Sequence, residues 1–262
     1  MSPVSLAYTG IVAETYDVLV TNDAIGDAEY FRAVIRDGGE PALEVGCGTG
    51  RLLLDYVASG LDVEGVDESQ DMLRICRRKA EQRGLTVTVQ LQAMQTLDLV
   101  QRFRTLFVPA GSFMLLTDRG DAERALARFH AHLIPGGRVL ISLERPSGTA
   151  LPAGSSREGV WTHRRQGSRP EDGATIECWE CVRDDIDAQL RSSTIRYEVK
   201  HGGRTIQRHE AIQTTRWYTQ SEFCQLLERA GFTQIAVRRG YTSRRAEPRD
   251  AEFVCVGRRS GS

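Results

Sequence analysis

Apolar residues recur at spacings of three and four in IVAETYDVLV (11–20) and AEYFRAVIRDGG (28–39), which predicts two amphipathic helices, the second ended by Gly38-Gly39. PALEVGC (41–47) is a continuous apolar run that feeds a glycine cluster, the pattern of a buried strand. Helical and extended patterns then alternate: helix 50–60, strand 61–67, helix 69–84, strands 86–92 and 104–109, helix 121–133, strand 137–144. Strands covered by helices on both faces make a doubly wound, mostly parallel sheet.

The rhythm breaks over 146–217. GVWTHRR, ATIECWECV, LRSSTIRYEV and TIQRHEAIQTTRWY each show period-two stretches, separated by Gly and Asp turns. This predicts an inserted antiparallel β cap. Helical periodicity returns at TQSEFCQLLERAGF, where Thr219 and Glu222 spell a capping box and Gly231 a C-terminal stop. TQIAVRRGY (233–241) and AEFVCVGRR (251–259) read as a hairpin that brings the main sheet to seven strands. The division expected is an N-terminal helical lid over 1–40, an α/β core over 41–145, the cap over 146–217, and completion of the core over 218–262.

Composition narrows the function. With 262 residues and 40% hydrophobic content the chain can bury a sizeable core. Thirty-four basic against thirty-five acidic side chains give a net charge of -1, so no global field gathers nucleic acid or an anionic membrane. The charge is uneven, -5 over residues 1–145 and +4 over 146–262. No apolar run reaches the roughly 18 residues of a membrane span, and MSPVSLAYTG lacks the pattern of an export signal, so a cytoplasmic protein is expected, as a monomer or homodimer. Cys178 and Cys181 form a C-x-x-C within a strand pattern, where positions three apart face opposite sides, and no second ligand pair accompanies them; a metal is not expected.

ALEVGCGTG sets Glu44, Gly46, Gly48 and Gly50 at the turn from the first strand into the next helix, where open α/β sheets bind ligands. The nicotinamide fingerprint G-x-G-x-x-G needs a small residue where this chain has Arg51, whereas E-x-G-x-G-x-G is satisfied as written. Asp67, 17 residues beyond Gly50 at the end of the second strand, is placed to accept from the hydroxyls of a ribose.

At these residues the sequence resembles the class I S-adenosylmethionine-dependent methyltransferases, small-molecule branch. LEVGCGTGRLL looks like the family's first motif, GVDESQDML like the second-strand acid with its following Met, and HLIPGGRVLISL like the approach to the fifth strand. RWYTQSEFCQLLERAGF is similar to the late helix that follows the substrate-side insertion. The resemblance implies a Rossmann-like fold and S-adenosyl-L-methionine as cofactor. It implies that Glu44 and the backbone of Gly46, Cys47 and Gly48 face the methionine moiety, that Asp67 with the adjoining Glu68 takes the ribose, and that Met72 packs on the adenine. Ala93-Met94 stands where many members have an Asp for the adenine amine, leaving the backbone of Met94. Pro109 and Ala110 match a carbonyl site for the ammonium, and Tyr16 a tyrosine that covers the methionine end.

The expected reaction is in-line methyl transfer to N or O of a small metabolite or natural-product intermediate, the alternatives being a carbon acceptor or noncatalytic cofactor binding. Pro109-Ala110-Gly111-Ser112 is unlike the tetrapeptide common in enzymes that methylate planar amino nitrogens, and PAGSF offers no carboxylates for magnesium. His163, His209, Tyr218 and Tyr241 are the candidate bases, without a motif behind any of them. Phe113, Trp161, His163 and Tyr218 are the candidate acceptor contacts; all three tryptophans fall in the cap.

Overall fold

A computed structural model describes residues 8–20, 25–146 and 159–261. Residues 1–7, 21–24 and 147–158, which belong to the expected N-terminal lid and cap, lie outside the described residues. Two helices, α1 (Ile11–Leu19) and α2 (Ala28–Arg36), precede the alternating core of β1 (Ala42–Val45), α3 (Leu53–Ala58), β2 (Val63–Asp67), α4 (Gln70–Gln82), β3 (Val89–Leu91), β4 (Phe103–Val108), α5 (Arg119–His132) and β5 (Leu133–Glu144). Four long strands follow, β6 (Thr162–Ser168), β7 (Thr175–Asp185), β8 (Leu190–His201) and β9 (Arg204–Arg216), and then α6 (Gln220–Arg229), β10 (Phe232–Arg239) and β11 (Glu252–Arg259).

The main sheet has seven strands in the order β10-β11-β5-β4-β1-β2-β3, with β11 antiparallel to both of its neighbours. The chain runs outward from β1 through β2 to β3 and then restarts at β4 on the other side of β1. The loops after β1 and β4 therefore diverge and leave a crevice between them at the carboxyl ends of the strands. Both sheet faces are buried. Phe103, Phe129, Phe223 and Phe253 fill one side, and Phe31, Tyr56 and Phe107 the other, where the Phe31 and Phe107 rings stack at 5.0 Å.

The expected elements are present with shifted ends. Ser69 caps α4 by accepting from the Met72 amide, and the Thr219–Glu222 capping box of α6 is formed in both directions. Edge strand β3 is shorter than its period-two pattern, pairing only over Val89–Leu91. Strand β5 starts four residues before Gly137, because Leu133 already pairs with Phe103. Among the described residues no helix is long and apolar enough to cross a membrane.

The second sheet, β6-β7-β8-β9, is wholly antiparallel. Its inner face carries Ala174, Ile176, Tyr197 and Val199, which bury Val12 and Leu19 of α1. Gly167 lets the helix come this close: a Cβ there would lie 2.5 Å from the Val18 carbonyl oxygen. α1 is thus held between cap and core, and Asp17 ties it to the core by accepting from Thr49 Oγ1 at 2.6 Å and from Lys79 Nζ at 2.7 Å.

At the start of α2, the fully buried Asp27 receives both arms of the Arg51 guanidinium, each at 2.7 Å. Losing one partner of a buried pair strands the other charge in a low-dielectric interior. Arg51→Ala is expected to lower stability by about 3–5 kcal/mol, read as an earlier urea midpoint; a loss below about 1 kcal/mol would mean that the pair behaves as a surface bridge.

Candidate functional site

The loop after β1 is built to bring backbone close to the crevice. Gly46, Gly48 and Gly50 all have left-handed φ values of 76°, 56° and 79°, and at Gly50 a Cβ would sit 2.7 Å from Cys76 Sγ and 2.8 Å from Leu54 Cγ, so the loop also packs against the helices below it. Asp67 braces the loop from the neighbouring strand. One carboxylate oxygen accepts from the Gly48 amide at 2.8 Å and the other from the Ser69 amide at 2.8 Å. Each oxygen keeps capacity to accept a further hydrogen bond. Burial raises the Asp67 carboxyl and the two amides oppose that shift. Glu68, beside it, is exposed.

Glu44 is buried at 2% exposure, accepts from the Leu53 amide, and leaves Oε2 with no partner among the described residues. Its carboxyl lies well above the ordinary range, first because of burial; Arg51 lowers it and Asp27 and Asp67 raise it. A buried acceptor of this kind calls for a cation. Cys47 presents only its backbone here, since its side chain is in the core with Leu53 and Leu73.

Met72 is buried beside Ala13 and Ile75 with Tyr8 and Tyr16 over them, and its Cε lies 3.5 Å from a Cβ built on Gly48. From the far side, Met94 Cε comes to 3.6 Å of a Cβ on Gly46. Ala93 and Met94 open a short 3-10 turn, and the next residue, Gln95, has a buried Oε1 without a partner. Beyond β4 the backbone at Ala110 and Gly111 is left-handed, at 54° and 70°; for alanine this is a strained conformation of the kind that collects at functional sites. The Pro109 carbonyl is occupied by the Ser112 amide and hydroxyl.

A cavity of about 220 Å³ lies between α1, Ala110 and the inner face of the cap. Tyr8, Tyr16 and Tyr197 give it aromatic walls, Val12, Leu19 and Ile195 apolar ones, and Arg164, Arg165, Glu180 and Gln213 its polar groups. Tyr8 and Tyr16 meet edge to face at 6.1 Å, and Gln213 donates to the Tyr8 hydroxyl at 2.8 Å. Burial raises the phenols of Tyr8, Tyr16 and Tyr197, so they stay neutral at physiological pH.

Of the residues expected at the site, the fold gathers Tyr16, Glu44, Gly46, Cys47, Gly48, Asp67, Met72, Met94 and Ala110 around the crevice. It sends the expected acceptor contacts elsewhere. Phe113 is fully buried among Phe129, Tyr218 and Phe223, and Tyr218 belongs to the same core, its hydroxyl pushed up to about 12 by burial. Trp161 and His163 are on the outer face of the cap, where Trp161 lies under the Arg196 guanidinium at 3.9 Å and His163 meets the edge of Trp179 at 4.8 Å. Neither remaining candidate base faces the cavity: His209 is exposed on β9 and Tyr241 packs on Tyr30 and Phe31. Sequence reasoning did not single out Tyr8, Gln95, Glu180 or Gln213. The inner-face alternation of β7 and β8 was the one signal available for the cap residues.

Comparison with known proteins agrees with this architecture. A family described as a methyltransferase domain matches residues 42–137. The dTDP-3-amino-3,6-dideoxy-alpha-D-glucopyranose N,N-dimethyltransferase of Streptomyces fradiae is 32% identical over 140 residues, which is 51% of this chain and 53% of that protein. Among solved structures, the CcbJ methyltransferase from Streptomyces caelestis has a TM-score of 0.77 at 21% identity, covering 96% of both chains. The sugar N-methyltransferase KedS8 from Streptoalloteichus sp. has a TM-score of 0.70 at 22% identity, covering 99% of both. The two structures share the fold from end to end, cap included.

Asp67→Ala removes a charged acceptor, and S-adenosylmethionine binding is expected to weaken by about 1–3 kcal/mol in calorimetry; unchanged affinity would remove Asp67 from the site. Together the E-x-G-x-G-x-G loop, the acid after β2, the strand order and the family match lead to one conclusion: residues 42–137 are a methyltransferase domain, set in the fold of the S-adenosylmethionine-dependent methyltransferases.

Proposed function

We propose that the enzyme methylates the nitrogen of a small molecule held between α1 and the cap. The observation that carries this is the cavity of about 220 Å³ at Tyr16 and Ala110, with aromatic walls and Glu180 as the one carboxylate in its lining. Aromatic walls suit an amine, which is attracted as a cation over the rings and reacts as the neutral form. Oxygen acceptors gain from a base, and no histidine of the described residues lines this cavity. Its volume is below the roughly 300–1,000 Å³ of drug-sized sites. The names of the Streptomyces fradiae and Streptoalloteichus proteins, both sugar N-methyltransferases, support the same choice of atom.

Glu44 Oε2 would receive the cofactor's ammonium, the free lone pairs of Asp67 its ribose hydroxyls, Met72 and Met94 its adenine faces, and Gln95 Oε1 the adenine amine, in place of the acid that the sequence lacks after β3. When bound, S-adenosylmethionine supplies an electrophilic methyl on a sulfonium. The protein's part is to align and to exclude water. Tyr16 closes the methionine end from α1, Ala110 sets the floor, and Tyr8, bridged to β9 through Gln213, shuts the side between α1 and the cap. An amine that has gained the methyl carries positive charge until it loses a proton, and the rings of Tyr8, Tyr16 and Tyr197 would stabilise that charge.

S-adenosylhomocysteine release is expected with small primary or secondary amines and not with the matched alcohols, measured by chromatography; turnover of alcohols alone would overturn the nitrogen assignment. Glu44 adds a pH signature. Its folded value is raised, so in the free enzyme its ionisation costs stability as pH rises from the ordinary carboxylate range to that raised value. A bound ammonium favours the carboxylate and expels the proton. Cofactor binding is therefore expected to release a proton, seen as different apparent enthalpies in two buffers of unlike ionisation heat. Equal enthalpies would mean that Glu44 does not meet the ammonium.

A further inference from the structure

The cavity holds a charge that methyl transfer to an amine leaves unexplained. Arg164 and Arg165 both line it against the single carboxylate of Glu180, although neighbours in a regular strand point to opposite faces. The register of β6 on β7 accounts for this. His163 pairs with Trp179 and Arg165 with Cys178, so Arg164 is an extra residue, a bulge that turns both arginines inward. Arg164 closes on Glu180 at 3.0 Å. Arg165 is half-buried, donates to the Leu19 carbonyl at 3.3 Å, and makes no ion pair with any described carboxylate. Four other arginines of the cap contrast with it, Arg169, Arg191, Arg196 and Arg208 being paired with Asp172, Asp184, Glu210 and Glu198, and the buried Arg216 donates to the Thr117 and Ala188 carbonyls. A guanidinium is a planar fork of donors, and half-buried without a counter-ion it is incompletely satisfied.

We propose that the acceptor is an anionic amine: a carboxylate or phosphate group is received by Arg165 where the β6 bulge turns it into the cavity, and the nitrogen lies toward Tyr16 and Ala110. The proposal rests on the reading of this cavity as the acceptor site. It divides recognition between two ends, charge at the cap and the methylated atom over the crevice. The excess positive charge of the carboxyl-terminal half is thereby put to use at one residue.

Cys178, the register partner of Arg165 and itself in the cavity lining, provides a probe that needs no knowledge of the acceptor. Its thiolate displaces iodide from iodoacetate, an anion, or from neutral iodoacetamide, and peptide mass spectrometry reads the product at each cysteine. Burial pushes the Cys178 thiol up to about 11, so labelling is run at alkaline pH and read as the ratio of the two reagents, which cancels differences in thiol ionisation. The half-buried thiols Cys181 and Cys224 are internal controls.

In the natural protein the iodoacetate-to-iodoacetamide ratio at Cys178 is expected to exceed that at the controls by about tenfold or more, the scale of one charged hydrogen bond. Arg165→Gln should collapse it to the control value, while Arg165→Lys and Arg164→Gln keep most of it. Equal ratios at the three thiols of the natural protein, survival of the preference in Arg165→Gln, or its loss in Arg164→Gln alone would overturn the proposal. Protection of Cys178 from iodoacetamide by acetate assigns a carboxylate and by inorganic phosphate a phosphoryl group; protection by neither also overturns it. No arm involves turnover, so failure here leaves nitrogen methylation to be judged by S-adenosylhomocysteine release.

Discussion

The bidentate pair of Arg51 with the fully buried Asp27 is the interaction on which the site's arrangement depends. It joins the helix that follows the glycine loop to the start of α2, and its net neutrality is what lets Glu44 stay as a carboxyl with an unpartnered oxygen two residues before the first glycine. Without Arg51 the interior would hold Asp27 and Glu44 with no cation between them, a charge imbalance that burial makes expensive. Arg51 also occupies the position where a dinucleotide fingerprint demands a small residue, so the same side chain that excludes one cofactor organises the pocket for another.

From that anchor the molecule separates its tasks by element. The core sheet places rigid backbone at the crevice through β1 and β4, and the loop conformations there are held by short hydrogen bonds: Asp67 on the Gly48 amide, Ser142 on the Gly111 amide, Ser112 on the Pro109 carbonyl. None of the described cap residues is among those gathered at that crevice. The cap closes on α1 instead, and α1 is fastened to the core by Asp17 and to the cap by Val12 and Leu19, so the helix is the wall shared by the crevice and the cavity under the cap. The charged groups and the amide that line this cavity, Arg164, Arg165, Glu180 and Gln213, all come from the cap strands.

Most of the cofactor side was legible in the chain. Glycines that need left-handed backbone, an acid at a strand end and a buried acid before the loop are local features, and their spacing along β1, β2 and the following turns is enough to bring them together. The acceptor side was not. Trp161 and His163 looked like the chemistry of the cap, yet both face outward, because the bulge at Arg164 changes which residues of β6 point inward and composition carries no trace of it. Phe113 and Tyr218 follow the last turns before the site and were read as its walls, whereas packing against Phe129 and Phe223 takes them into the core. Gln95 went unnoticed since no motif marks it; only its buried, unpartnered oxygen does.

Interactions among residues a few positions apart fix the alternation of strands and helices, the glycine loop, the capping box of α6 and the inserted antiparallel segment, and all of these were legible in the sequence. Tertiary structure alone decided which faces of the cap look inward, that Tyr8, Tyr16 and Tyr197 share one cavity, and that Arg165 stands in it without a carboxylate partner among the described residues. Those outcomes depend on strand register and on contacts between residues separated by up to 205 positions, such as Tyr8 and Gln213. A one-residue slip in register exchanges the two faces of a strand, so no local pattern can specify them.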